Sequence, residues 1–144
     1  MFNIKQVIST NYFRYFFLLL DNLDNLSFNT VDALHWNAVQ VDAHGGLLLS
    51  MRNRNQIVRL RPEDWSIHWK LGGADSDFIL DDPIWEGFVV QHDVHDLGQG
   101  RLLLFDNNAF DPEGEVTSRV LELALDTLDF TATRVWQFAH PDGV

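Results

Sequence analysis

The sequence predicts an all-β protein assembled from a repeated four-stranded antiparallel unit, the pattern of β-propeller blades. Three observations carry that expectation. From Asp32 onward, β-rich runs of about five to eight residues recur between turn residues, too short for most helices. The runs form two series that answer one another in order. An apolar fraction of 46% over 144 residues is enough to bury a core and excludes disorder by composition.

The elements follow in chain order. The first series reads HWNAVQVD, LLLSMR, QIVRLR and WSIHWKLGG, broken by Gly45-Gly46, by Asn53 to Asn55, by Pro62-Glu63-Asp64 and by Gly72-Gly73. It predicts strands over 35–42, 47–52, 56–61 and 66–71. The second series predicts strands over 88–96, 101–106, 118–125 and 131–138. Gly46-Leu47-Leu48-Leu49 matches Gly100 to Leu104, Gln56 to Leu60 matches Ser118 to Leu123, and Ser66 to Leu71 matches Thr133 to Phe138. The expected organisation is a lead-in over 1–31, a blade over 32–73, an acidic linker loop over 74–87, and a second blade with the start of a third over 88–144. Two blades leave apolar sheet faces uncovered, so the chain reads as a propeller fragment whose partners are further blades or copies of itself.

The lead-in carries Lys5 and Arg14 before the apolar run Tyr15 to Leu20. That run is shorter than the apolar stretch of a secretory leader and continues into DNLDNLSFN, not into a small-residue cleavage site. It is also too short to cross a bilayer, so it predicts neither export nor membrane insertion. Lys and Arg number 10 against 21 Asp and Glu, a net charge of −11. Such a surface repels phosphate backbones and anionic lipid, which argues against nucleic acid and polybasic membrane attachment. The absence of cysteine excludes disulfides, thiolate metal sites and cysteine nucleophiles.

Candidate chemistry concentrates in histidines. His35 and Asn37 are two apart on a predicted strand and therefore share a face. His92 lies on the corresponding first strand of the second unit, and first strands line the channel of a propeller. The competing reading is that these polar residues tie blades together by hydrogen bonds. His92 and His95, three apart on a strand, are expected on opposite faces and make a poor metal pair. The acidic runs 75–82 and 106–115 do not have calcium-loop spacing and read as solvated. Arg119 reads as a structural ion-pair residue. Trp69 and Trp136 read as blade packing, with Trp36 and Trp85 nearer the channel rim.

In order, DALHWNAV, GGLLLSMRNRNQIVRL, IHWKLGG, FVVQHDVHD, RLLLFDNNA, TSRVLELALD and RVWQFAHPDG resemble the arylsulfotransferase family, whose members act without 3′-phosphoadenylyl sulfate. The resemblance runs from about Asp32 to Gly143. It implies a β-propeller with a central site, no cofactor, and sulfuryl transfer from an aryl sulfate to a phenol through a sulfohistidine. By the same resemblance His92 is the nucleophile, His35 and Asn37 are pocket residues, and Arg52 faces the transferred group. A further family histidine from an earlier blade has no counterpart here. The resemblance also implies a periplasmic or extracellular parent. A neutral imidazole, a guanidinium fork, an amide N–H and a second histidine as proton donor suit that chemistry. A non-catalytic propeller serving as a binding or scaffold module is the alternative.

Overall fold

The computed structural model describes residues 34–80, 87–107 and 118–139. The lead-in, Trp85, most of the acidic run 106–115 and the expected start of a third blade lie outside the described residues. The chain divides into two compact units, Met1–Val31 and Asp32–Val144, and the second is described below.

Nine strands and no α-helix make up the described residues: β1 (Trp36–Val41), β2 (Leu47–Met51), β3 (Gln56–Leu60), β4 (Ile67–Gly72), β5 (Ile79–Leu80), β6 (His92–Gly98), β7 (Arg101–Asp106), β8 (Arg119–Asp126) and β9 (Thr131–Ala139). The first sheet has the order β1-β2-β3-β4, every neighbour antiparallel. The second has the order β5-β9-β8-β7-β6. Its last four strands form an antiparallel meander, and β5 adds two residues parallel to β9. All eight expected strands are present, and the sheets do not close into a barrel.

Three differences matter. The second sheet has five strands because Ile79 and Leu80, expected in a loop, pair with Thr131 and Ala132. The segment 88–91 is not strand, so β6 begins at His92. Arg52 does not continue β2 but opens a 3₁₀ turn, Arg52–Arg54, closed by Asn55 in the left-handed region at φ 50°.

The turns between strands are written in side chains. Asp42 accepts the N–H groups of His44 (2.8 Å) and Gly46 (3.0 Å), which satisfies the hairpin donors between β1 and β2. A Cβ at Gly46 would sit 2.6 Å from the Leu60 carbonyl, so only glycine lets β2 enter beside β3 there. The unbroken run of β2 is buried on both faces, as its lack of alternation implies.

One core joins both sheets. Leu48, Ile57, Trp69 and Leu71 from the first pack in one cluster with Val94, Leu102, Leu104, Leu121 and Leu123 from the second. Trp69 is buried as expected, edge-on to Phe78. Trp136 corrects the expectation: it is 49% exposed and stacks on Phe138. The register explains the difference. Trp136 stands opposite Glu122 and Phe138 opposite Val120, on the face of the second sheet turned away from Leu121 and Leu123.

Two ion pairs pin the sheets. Arg59 donates to Asp42 in the first, and Arg119 Nε lies 2.9 Å from Asp106 Oδ2 in the second, with the Asp106 side chain fully buried. Arg119 therefore has the structural role its sequence context predicted. On the surface, Lys70 and Gln56 hydrogen-bond the carboxylate of Asp75 and hold it at about 2. Burial raises the Asp42 carboxyl, but the Arg59 contact and the two amide N–H groups hold it below the usual range. Both depressed carboxyls favour the fold above the unfolded value of about 4, and that favour is lost as pH falls through their folded values. The urea midpoint is therefore expected to fall between pH 4 and 2, less steeply in Asp75→Asn. A midpoint constant over that window would contradict these contacts.

Candidate active site

The backbone departs from regular strand geometry where the candidate residues meet. His35 sits just before β1 in the left-handed region, at φ 49°. Its carbonyl accepts the N–H of Arg52 at 3.1 Å, and the Leu34 carbonyl accepts that of Asn53 at 3.2 Å. Asn37 lies in a bulge of β1, where the register slips between Trp36 and Ala38. Across the sheet boundary, Val90 (φ 58°) and Asp93 (φ 55°) flank His92. Such conformations cost roughly 1–3 kcal/mol each for residues other than glycine, most for a β-branched one, and cluster at functional sites.

The result brings three of the four candidates together. The rings of His35 and His92 are 6.3 Å apart, centroid to centroid, at 66°. Asn37 Nδ2 donates to the main-chain oxygen of Gln91, the neighbour of His92, at 2.6 Å. One Asn37 amide hydrogen is spent in that bond, and its Oδ1 is buried with no hydrogen-bond partner among the described residues. Arg52 joins the group through its main chain, while its guanidinium Nη1 donates to Asn53 Oδ1 at 2.8 Å.

His35 and Asn37 do not share a strand face as expected, because His35 precedes the strand and Asn37 is in a bulge. The expectation for His92 and His95 is corrected too. His92 pairs with Phe105 and His95 with Leu103, so the bulge at Asp93 places both histidines on one face. His95 Nε2 is engaged with Asp93 Oδ1 at 2.9 Å. Among the described residues no group of three or more His, Asp or Glu side chains is arranged to hold a metal ion.

Four residues were not assigned from sequence. Gln91 is fully buried, and its Nε2 lies within 3.2 Å of Ser50 Oγ and of the Met51 and Gln56 carbonyls, bolting the start of β6 to the first sheet. Asn55 Oδ1 accepts the Val90 N–H at 2.8 Å. The Val90 carbonyl lies 3.0 Å from His92 Nδ1 and 2.6 Å from Asn107 Nδ2. Gln91 and Asn107 stand inside the motifs QHD and FDNNA, but only the fold shows what their amides hold. Val90 and Asn55 carry no residue-level signal, since their contribution is backbone geometry.

A depression of about 430 Å³ opens beside Val89, with Arg54, Asn53 and Phe88 among its lining residues. Phe88 is buried there, and none of His35, Asn37, Arg52 and His92 lines the depression.

A family model described as Arylsulfotransferase (ASST) matches residues 4–142, almost the whole chain. No curated protein matches the chain. The chain belongs to the arylsulfotransferase family.

Proposed function

We propose that the protein transfers a sulfuryl group from an aryl sulfate to a phenol through a sulfohistidine on His92. The observation that carries this reading is the edge-on approach of the His92 and His35 imidazoles, centroids 6.3 Å apart, within a strained, multiply pinned backbone. In the first half-reaction the Nε2 lone pair of His92 forms an N–S bond. The aryl O–S bond breaks, its electron pair goes to the phenolate oxygen, and His35 supplies a proton. In the second, an acceptor phenol loses its proton to His35, its oxygen attacks sulfur, and the N–S pair returns to His92. Charge spreads over the equatorial sulfuryl oxygens by analogy with phosphoryl transfer. The remaining hydrogen of the Asn37 amide and the Arg52 guanidinium, turned from Asn53, serve those oxygens. A chromogenic aryl sulfate with added phenol tests the reading in the full-length protein. Acceptor-dependent release of the chromophore is expected. Its absence would leave a binding or scaffold module.

The two sheets are further proposed as adjacent propeller blades of a larger assembly. Phe105, Trp136 and Phe138 support this, because one sheet presents them together to solvent. The chain by itself is expected to self-associate in sedimentation velocity. A compact, cooperatively melting monomer would contradict the need for a covering neighbour.

A further inference from the structure

We infer that Asn107 is a positioning residue for His92. Together with the Val90 carbonyl it fixes the imidazole as the Nδ1–H tautomer and leaves Nε2 as the attacking atom. The inference rests on the sulfohistidine reading for its catalytic consequence, but the tautomer itself is independent of it.

Three atoms make the case. Asn107 Nδ2 lies 2.6 Å from the Val90 oxygen and 2.9 Å from His92 Nδ1, and Nδ1 lies 3.0 Å from the same oxygen. They form a nearly equilateral triangle. The two hydrogens of an amide diverge far more widely than two corners of such a triangle, so Asn107 cannot point one at each. The shorter contact takes the hydrogen, and a carbonyl can only accept. Nδ1 then faces that carbonyl at hydrogen-bond distance, an arrangement favourable only if Nδ1 carries the proton. A carbonyl oxygen has two lone pairs, so it accepts from both. The proton on Nδ1 leaves the Nε2 lone pair for sulfur, and the partial positive charge that develops on attack is shared with the Val90 oxygen.

The carbonyl is held there from both ends. Asn55 takes the Val90 N–H at 2.8 Å, and Asn107 clamps its oxygen. Val90 needs both restraints because it sits at φ 58°, which a β-branched residue leaves readily when released. Asn107 is itself anchored, its main-chain oxygen 3.2 Å from Ser118 Oγ and its neighbour Asp106 bonded to Arg119 and to the Val89 N–H.

The test is the ¹⁵N spectrum of imidazole-labelled full-length protein, with His92 assigned by its absence in His92→Asn. Wild type is expected to show a protonated Nδ1 and a lone-pair Nε2. In Asn107→Ala the signal should move toward the Nε2–H form, with kcat lowered at least about 10-fold and KM changed less than about twofold. Val90→Gly accepts the left-handed turn without strain and should keep the wild-type tautomer. An Nε2–H tautomer in wild type, or a wild-type tautomer in Asn107→Ala, would overturn the inference. Because the wild-type spectrum is read without turnover, it stands whether or not a variant folds. Turnover by His92→Asn would remove the sulfohistidine reading instead.

Discussion

Replacing His92 by Asn is expected to lower sulfuryl transfer by at least about 10⁴-fold, because an amide neither attacks sulfur nor carries the group. The fold should survive. His92 is only partly buried, and its described hydrogen-bonding neighbours, the Val90 carbonyl and the Asn107 amide, remain bonded to one another without it. A melting temperature near wild type with activity lost is therefore the expected pair of results. Arg52→Lys should slow transfer roughly 10- to 100-fold without abolishing it, since one point charge replaces a planar fork. Steady-state rates with an aryl sulfate and a phenol check both. Near-normal turnover in His92→Asn would return the site to a structural role.

Arg119→Met is expected to cost far more stability than the loss of a partly exposed ion pair. The Asp106 carboxylate is fully buried, with Arg119 Nε at 2.9 Å and the Val89 N–H at 2.8 Å. Removing the guanidinium takes a charged partner from a fully buried carboxylate, which costs about 3–5 kcal/mol. The comparison is Arg101→Met on the neighbouring strand, whose partner Glu122 and whose own side chain are both partly exposed. There the loss should be about 1 kcal/mol or less. Equilibrium urea unfolding measures both. Equal small losses would mean that the Asp106 pair does not pin β7 to β8.

The strands were legible because their information is local. Short β-rich runs between glycine and asparagine turns announce β1 to β4 and β6 to β9, and the observed boundaries agree within a few residues. The exceptions have a common physical cause. Residues 88–91 are as apolar as a strand, but Gln91 and Val90 spend their hydrogen bonds on the first sheet and on the histidine, so no ladder forms until His92. The pair Ile79–Leu80 becomes a strand only because the β9 edge is beside it. Trp136 was misread for the same reason: a repeat predicts strand position, while burial depends on which neighbour covers the face.

The site was legible in composition and not in geometry. His35, Asn37 and His92 do gather, but bulges and left-handed residues bring them together, not strand alternation. A one-residue bulge turns every later side chain to the other face, and nothing in HWNAV or QHDVH announces one. Asn107 was visible as a motif residue, yet its contact with Val90 exists only once β7 lies beside β6.

The central claim is tested most directly by the covalent state of His92. Full-length protein incubated with an aryl sulfate and no acceptor, quenched at alkaline pH and digested, should yield one peptide carrying a sulfo group on His92. Adding a phenol before the quench should remove it. An unmodified His92 peptide during active turnover, or a sulfo group carried instead by His35 or His95, would contradict the account.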